Sequence, residues 1–455
     1  MTVGKPSSVR KLPESFREVQ MRTAKKSPVM PTPLPRAPLL VLLAGLAACA
    51  EHAPIGPSES SPWQSVLSTT GAGFAYVANA GSNNVSVIDI ATNTVSASVS
   101  VGDRPIAVAI TPDGHFAYVP NQLSNNVSVI DIATNTVATT VSVGSQPLGV
   151  AITPEGTLAY VSNGASNNVS VIDIATNTIT ATISVGSEPL GVAITPDGAF
   201  AYVVNTQSDN VSVIDIATNS VITTVNVGDT PLAVAVTPDG TLAYVTNLFS
   251  GTVSVIDLAT NTVTATVGVG IYPGNVAIRP AGDFAYVTNG QAGSTRVTVI
   301  DIATNTITAD VSIVTGGAGV AITPDGDLAY VTDRISDKVW VIELATNTVT
   351  TTVSVGDSPG GVAIAPAAPE ECTLENLSDA VNALGPAGDG TLKEGQANAL
   401  QRKVDRARKL LDKGKTQAAA EVLADFIQQV EDLEAAGVLS AVQAADLVGC
   451  AEAIV

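Results

Sequence analysis

Short apolar runs, separated by polar turns, recur along most of the chain. One unit reads AYVSNGASNNVSVIDIATNTITATISVGSEPLGVAITPDG from Ala159 to Gly198. Its four runs are rich in β-branched residues, which favour a pleated and packed surface. Proline and glycine in TPDG, and asparagine in DIATNT, are typical of tight turns. Each unit therefore predicts four antiparallel strands.

The unit occurs seven times. Its Ala-Tyr-Val marker recurs every 42 residues, with one last interval of 44, beginning at Ala75, Ala117, Ala159, Ala201, Ala243, Ala285 and Ala329. Four strands per repeat match a β-propeller with one blade per repeat, whereas the alternative, a parallel β-helix, needs shorter coils. We predict an all-β, seven-bladed β-propeller over residues 74–369.

The two ends of the propeller must meet to close its ring. The first repeat starts at Phe74 with the second strand of a blade, and the last repeat ends in a first strand without its turn. We expect residues 361–365 to complete the blade that begins at Phe74, and residues 66–73 are the competing segment. Either closure removes exposed sheet edges.

The repeat resembles a known family. AYVTN at Ala243 and Ala285, with VSVID(I/L)ATNTV and VAITPDG, closely resembles the YVTN-type seven-bladed propeller repeats of bacterial and archaeal surface proteins. The resemblance covers about two thirds of the chain and implies the fold. It leaves the function open, because similar propellers serve as binding scaffolds, lactonases, lyases and quinoprotein subunits.

The N-terminal segment predicts export. Basic residues precede a ten-residue apolar stretch at 39–48, which is too short to span a bilayer. The sequence LAAC, ending at Cys49, resembles a bacterial lipobox, and this implies a lipoprotein signal peptide at 1–48 and lipid on Cys49. A plain secretory signal is the alternative. Residues 49–73 then form the lipidated cysteine and a flexible tether. Ala50 after the cysteine implies the outer membrane or cell surface rather than the inner membrane.

The composition changes after Pro369, where Ala, Leu, Glu and Lys replace Val and Thr. Apolar residues recur at helical spacing, which predicts a four-helix module over residues 370–455. Cys372 and Cys450 are an even pair in an exported chain, and we expect a disulfide between them. LDKGKTQAA, from Leu411, resembles the FIMAH-type modules of secreted bacterial proteins. That resemblance implies attachment or interaction, and a capping or spacer bundle is the alternative.

The charge of the chain and the placement of its acidic residues argue against several classes of ligand. The net charge is −20, and residues 74–369 carry 22 acidic but five basic side chains. The absence of a basic stripe argues against nucleic-acid binding. Acidic residues on separate blades do not converge as calcium requires, so we expect no metal and no cofactor. We expect a monomer that contacts the membrane through its lipid.

Catalysis has little support in the sequence. The chain has two histidines, His52 in the tether and His115 in a turn, and the VAITP runs hold almost no carboxylates. We therefore predict a binding or scaffold protein with a protein or polysaccharide ligand, and adhesion is one role that fits. A propeller enzyme of the lactonase or lyase type and a purely structural surface-layer protein are the two alternatives.

Departures from the repeat gather in its later copies. Aromatic, aliphatic and basic side chains there replace small polar ones in loops on one side of the predicted disc. Such exposed groups are typical of interaction patches, although drift in tolerant loops is the alternative. The candidate binding patch comprises Leu248, Phe249, Ile271, Tyr272, Gln291, Arg296, Arg334 and Lys338.

Overall fold

The computed structural model describes residues 73–290, 296–313, 317–365, 374–385, 391–436, 438–439, 447–448 and 451. The described strands form seven four-stranded antiparallel sheets, and in six of them the strand order from first to fourth follows the chain. The first strands of successive sheets contact one another in a closed ring. The predicted seven-bladed propeller is confirmed. We number its blades 1 to 7, and blade 1 contains Phe74.

The strand bounds repeat closely from blade to blade. From blade 1 to blade 7, the first strands are Pro359–Ala365, Ala109–Ile110, Pro147–Ile152, Pro189–Ile194, Pro231–Val236, Pro273–Ile278 and Gly317–Ile322. The second strands are Phe74–Asn79, Phe116–Asn121, Leu158–Asn163, Phe200–Asn205, Leu242–Asn247, Phe284–Asn289 and Leu328–Asp333. The third strands are Asn84–Asp89, Asn126–Asp131, Asn168–Asp173, Asn210–Asp215, Thr252–Asp257, Arg296–Asp301 and Lys338–Glu343. The fourth strands are Thr94–Ser100, Thr136–Ser142, Thr178–Ser184, Ser220–Asn226, Thr262–Gly268, Thr306–Ser312 and Thr348–Ser354.

The ring closes as the sequence predicts. The last strand, Pro359–Ala365, pairs with Phe74–Asn79, and Phe74 lies opposite Ala365 in the register. The prediction that residues 361–365 complete the first blade is confirmed. Since this pairing joins the two ends of the propeller, the sheet of blade 1 depends on both ends of the domain.

The hydrophobic core lies between blades. Tyr76 and Val87 of blade 1, for example, share a buried cluster with Ala117, Val119 and Ile130 of blade 2. Equivalent clusters lie at the other blade interfaces. Because each second and third strand is packed on both sides, its residues are buried without alternation. This explains the long apolar runs of the repeat.

Each second strand carries a buried tyrosine, and in six blades its hydroxyl bonds to the next blade. Burial, and then the negative charge of Asp215, raise the pKa of Tyr160 to about 12, so its phenol stays protonated and donates to Asn219 Oδ1 at 2.8 Å. Six blades make this bond, with O···O distances of 2.7–2.8 Å: Tyr76–Asn135, Tyr118–Asn177, Tyr160–Asn219, Tyr202–Asn261, Tyr244–Asn305 and Tyr330–Asn93. We call these six bonds the tyrosine latches.

The interface between blades 6 and 7 is built differently. Among the described residues, Tyr286 makes no latch, and the buried Asn347 Oδ1 has no hydrogen-bond partner. Arg279 takes the place of the usual threonine here, and its Nε donates to the Gly326 carbonyl of blade 7 at 3.0 Å. Its Nη1 pairs with Asp283 at 3.1 Å. An arginine bond therefore links the two blades where the latch is absent.

The described C-terminal helices are α1 (Leu374–Ala383), α2 (Glu394–Leu411) and α3 (Thr416–Ala435). Leu377, Leu400 and Phe426 share one buried cluster with Leu447 and Ala451. The prediction of a helical region is confirmed. Most of the predicted fourth helix, which starts near Ser440, lies outside the described residues.

Several predicted features lie outside the described residues. They are the signal peptide, Cys49 and most of the tether, and the cysteines Cys372 and Cys450 with their expected disulfide. Of the helices that the structure describes, none has the length and apolar character that crossing a membrane requires.

Candidate functional site

The propeller has two unlike faces. The turn face carries the turns between first and second strands and between third and fourth strands. The loop face carries the loops between second and third strands, and the interblade loops that lead from a fourth strand to the next blade. The patch residues that the structure describes, all except Gln291, belong to the loop face, so that face is the candidate site.

Two side chains normally clamp each interblade loop. In the loop between blades 1 and 2, Arg104 N donates to Asn83 Oδ1 of blade 1 at 2.9 Å, and Asp103 N donates to Ser124 Oγ of blade 2 at 2.7 Å. The Asn or Asp clamp occurs in the pairs Asn83–Arg104, Asn125–Gln146, Asn167–Glu188, Asp209–Thr230 and Asp337–Ser358. The clamps fix the loops because they satisfy backbone donors in a left-handed turn.

The loop between blades 5 and 6 departs from this scheme. Gly251 stands where five of the other blades have Asn or Asp, and it offers no side-chain oxygen to Tyr272 N. Tyr272 still has a left-handed backbone, with φ of 55°, which is unfavourable for a bulky residue. The Phe249 ring lies edge-on against the Tyr272 ring, with centroids 6.0 Å apart and planes at 75°. An aromatic contact thus replaces a hydrogen-bonded clamp.

Arg296 supports the same loop from blade 6. Its Nη2 donates to the Val269 carbonyl at 3.2 Å, and its Nε pairs with Asp310 Oδ1 at 3.2 Å. The guanidinium occupies the space beside Gly270, where a Cβ would collide with Nη2. Arg296, although predicted as part of a binding patch, therefore holds the Ile271–Tyr272 loop in place.

The other patch residues differ in exposure. Ile271 is 61% exposed, the highest value among the large hydrophobic residues that the structure describes. Leu248 and Phe249 are half-buried, and Lys338, at the start of a third strand, is also half-buried. Gln291 lies outside the described residues. The structure therefore brings Phe249, Ile271 and Tyr272 together in one apolar sector of the loop face.

Blade 7 carries a second departure. In other blades an asparagine at the end of the second strand donates to a hydroxyl of the third, as Asn163 Nδ2 does to Ser170 Oγ at 2.9 Å. In blade 7 the acceptor is the fully buried Asp333, and Trp340 Nε1 donates to its Oδ2 at 3.1 Å. The donor has thus moved from the second strand to the third.

Arg334 follows Asp333 directly. Protein surrounds its guanidinium although the residue keeps access to solvent, and its Nη2 lies 3.5 Å from the position that a Cβ on Gly360 of blade 1 would occupy. The surrounding protein, and then the positive charge of Arg104, lower the pKa of Arg334. The guanidinium therefore lies over the first strands, close to a second arginine.

On the turn face, the same Asp–Thr hydrogen bonds recur in the turns of most blades. Asp173 Oδ1 accepts from Thr176 Oγ1 at 2.7 Å and from Thr176 N at 2.8 Å, and these bonds lower the pKa of Asp173. Asn177 is left-handed, with φ of 53°, as the sequence predicts. His115 is exposed there and pairs with Asp113 at 3.1 Å. Within the described part of the chain, no three His, Cys, Asp or Glu side chains come together as a metal site would need.

Two shallow cavities accompany these features. One, of about 380 Å³, opens between blades 4 and 5, and its lining includes Asn226, Gly228, Ser250 and Thr266. The other, of about 570 Å³, lies between α2 and α3. Its lining residues are Ala399, Arg402, Lys403, Asp405, Arg406, Lys409, Val422, Asp425 and Gln429. The lining of the propeller cavity includes none of Phe249, Ile271 and Tyr272.

The sequence predicted the aromatic sector and, in blade 7, Arg334 and Lys338, but it did not predict Asp333 and Trp340 of blade 7 or Arg104 beside blade 2. Arg104 is in a loop that otherwise fits the repeat, and the sequence analysis did not single it out. The exchange of Asn for Asp at 333 and of Ser for Trp at 340 was visible as a departure from the repeat. Its meaning depends on a cross-strand contact that the spacing alone does not reveal.

Solved structures of similar shape come from several bacteria. The hydrazine synthase of Kuenenia stuttgartiensis matches with a TM-score of 0.55 and 24% identity, covering 58% of this chain and 90% of that one. A protein of unknown function from Desulfotomaculum acetoxidans matches with a TM-score of 0.58 and 20% identity, covering 64% of this chain and 98% of that one. A proposed 6-phosphogluconolactonase from Bacteroides fragilis matches with a TM-score of 0.56 and 19% identity, covering 65% of this chain and 99% of that one. These likenesses show the fold alone.

Family models complete the comparison. No curated protein matches the sequence. The model of the YNCE-like β-propeller matches residues 36–370, and that of the FIMAH domain matches residues 376–455. The first match includes all seven blades, and the second includes most of the helical region. The chain belongs to the YNCE-like β-propeller family and carries a C-terminal FIMAH domain.

Proposed function

We propose that the chain is a binding or scaffold protein of the bacterial envelope, displayed on a lipid anchor at Cys49. Its ligand, a protein or polysaccharide, contacts the loop face of blades 5 to 7. The observation that carries the proposal is the aromatic pair Phe249–Tyr272, which stands beside the exposed Ile271 in the loop that lacks its usual clamp. Aromatic groups that are partly exposed and held in place by their own scaffold are typical of recognition surfaces.

Binding has more support than catalysis. The first strands contain no ionisable side chain, and His115 is paired on the turn face, away from the departures of the loop face. The Bacteroides protein is a proposed lactonase, but at 19% identity its likeness to this chain extends to the fold alone. The departures from the repeat add aromatic and apolar surface rather than an acid and a base, and this favours recognition.

A retention experiment tests this proposal. Immobilised chain 50–455 would be incubated with envelope extract that includes polysaccharide, and the retained material identified. The test variant is Phe249→Ala with Tyr272→Ala. The matched control is Gln207→Ala with Thr230→Ala, which changes the same two loop positions in blade 4. We expect specific retention by the wild type and the control, and a loss of roughly ten-fold or more in the test variant. Equal retention by test and control variants would contradict the proposed site.

The anchor is tested separately. In cells that express the full chain, Cys49→Ala should move the protein from membranes to soluble fractions, because the lipid has no other attachment site. A mutant protein that still pellets with membranes would contradict the lipid anchor.

A further inference from the structure

The five basic side chains of the propeller differ in whether they have an ion-pair or hydrogen-bond partner. Arg279 pairs with Asp283, and Arg296 pairs with Asp310. Lys338 is half-buried at a strand end. Within the described part of the chain, neither the Arg104 guanidinium nor the Arg334 guanidinium has a hydrogen bond or an ion pair. Two arginines thus lack a partner in a domain that carries 22 acidic side chains.

These two arginines lie near each other across three blades. Arg334 of blade 7 lies over Gly360 of blade 1, where an added Cβ would stand 3.5 Å from its Nη2. Gly361 N in turn donates to the Ile106 carbonyl at 2.8 Å, and Ile106 follows Arg104 by two residues. The same Cβ position on Gly360 lies 2.8 Å from the Ile106 carbonyl oxygen, so the Arg334 guanidinium reaches the backbone that follows Arg104.

The pair is electrostatically unfavourable in the free protein. Desolvation by the surrounding protein, and then repulsion from Arg104, lower the pKa of Arg334. Like charges without a counterion destabilise a folded state, and arginine forks match the two oxygens of a carboxylate or phosphate. An oxyanion between the guanidiniums would remove the repulsion and supply the missing partners.

The centre of the loop face has room on this side. After the first proline or glycine of each first strand, blades 2 to 5 carry large aliphatic residues, while blades 6, 7 and 1 carry small ones. The seven are Ile106, Leu148, Leu190, Leu232, Gly274, Ala318 and Gly360. The three small residues, Gly274, Ala318 and Gly360, are on the side of Arg334. A ligand group can therefore approach the Arg334 guanidinium without meeting a large side chain from these three positions.

A buried amide lies beside Arg104. Gln122 occupies in blade 2 the position that Arg334 occupies in blade 7, and its backbone N donates to the Arg104 carbonyl at 3.0 Å. The Gln122 side chain is 7% exposed, and its Oε1 is buried without a hydrogen-bond partner. Such an acceptor is costly unless a donor reaches it, and a ligand hydroxyl is a suitable donor.

We propose that Arg104 and Arg334, with Gln122, form an oxyanion site at the centre of the loop face, and that it takes the carboxylate and a hydroxyl of an acidic sugar. The inference rests on the proposed binding function and names the ligand class, an acidic polysaccharide. Phosphate-bearing polymers offer related chemistry and are separated from uronates by the test.

The test is calorimetric titration of the chain 50–455 with oligogalacturonate, neutral galacto-oligosaccharide and inorganic phosphate. We expect oligogalacturonate to bind, the neutral oligosaccharide to bind much more weakly, and added salt to weaken the binding. Arg334→Gln should weaken oligogalacturonate binding about ten-fold or more, whereas Arg334→Lys should recover part of it. Lys413→Gln removes the same charge from the exposed turn after α2 and should bind as the wild type does.

Folding of the variant is checked independently. Because Arg334→Gln removes a repulsion, its thermal midpoint should not fall below that of the wild type. Unchanged affinity in a folded Arg334→Gln variant, or no oligogalacturonate binding at all, would overturn the site. Arg334-dependent binding of phosphate alone would overturn its assignment to carboxylates. If envelope material is still retained through Phe249 and Tyr272 in those cases, the proposed function survives and this inference fails. If nothing is retained, both fail.

Discussion

The turn face and the loop face of the propeller are made by the same repeat, yet they have diverged to different degrees. On the turn face, Asp173 and its equivalents hold their turns through threonine, and six tyrosine latches tie neighbouring blades. On the loop face, blades 5 to 7 have replaced clamps and core pairs with Gly251, Arg296 and Asp333. The comparison teaches that the turn face is the more uniform of the two, with a departure at Arg279, and that the loop face varies more in blades 5 to 7.

The variation on the loop face is compensated locally. Where Gly251 removes a clamp, Arg296 of the next blade and the Phe249–Tyr272 contact support the loop. Where Asp333 replaces asparagine, Trp340 supplies the donor. A substitution with its own compensation preserves the fold and changes the surface, as expected of a site that has acquired a role.

The largest expected effect concerns Asp333. Asp333→Ala leaves Trp340 Nε1, Ser336 Oγ and Ile335 N without their acceptor in a fully buried position. We expect a loss of roughly 3 kcal/mol in the free energy of unfolding, because bonds to a charged acceptor are strong. Denaturant unfolding measures it. The matched control, Asn163→Ala in blade 3, removes donors to two side chains and should cost less; an equal cost would show that blade 7 is not special.

The tyrosine latches come next. Tyr160→Phe removes the bond to Asn219 and leaves the Oδ1 atom of this half-buried asparagine without its tyrosine donor, so we expect a loss of about 1 kcal/mol in the free energy of unfolding. Tyr286→Phe is the matched control, since that tyrosine makes no latch, and it should leave the midpoint of denaturation nearly unchanged. If both variants lose the same stability, the latches do not hold the turn face together.

Alkaline pH acts on the same bonds. Burial raises the pKa of Tyr76, Tyr118 and Tyr160 to about 12, above the ordinary value of 10.0. A pKa raised by folding contributes stability below pH 10, and this contribution is lost as the pH rises through about 12. We expect the unfolding midpoint to fall across that window, in step with tyrosinate absorbance. Constant stability between pH 10 and 12 would contradict the protonated latches.

The smallest expected effect on folding lies at the aromatic sector. Phe249→Ala with Tyr272→Ala removes an edge-on ring contact between half-buried loop residues, so we expect a loss of only about 0.5 kcal/mol in the free energy of unfolding. Thermal unfolding of the double variant, beside the Gln207→Ala and Thr230→Ala control, measures it. A collapse of the fold would mean that this sector is part of the scaffold rather than a surface for recognition.

The fold could be predicted because every repeat carries the same information. The seven Ala-Tyr-Val markers fix the blade count, and the incomplete last repeat indicates ring closure by residues 361–365. The candidate site was predictable only in part. Phe249 and Tyr272 stand out as departures, whereas the proximity of Arg104 and Arg334 arises from ring geometry across three blades. The bonds of Arg296 likewise depend on a loop of the preceding blade, which no local pattern reveals.

The most direct test of the account is amide hydrogen exchange of the chain 50–455, measured alone and with envelope polysaccharide. Loops that bind a ligand should exchange more slowly in its presence. We predict protection of residues 248–251, 269–273 and 334–337 on the loop face, and unchanged exchange in the TPDG and DIATNT turns. Protection confined to the turns, equal protection of both faces, or no protection at saturating polysaccharide would contradict recognition by the loop face.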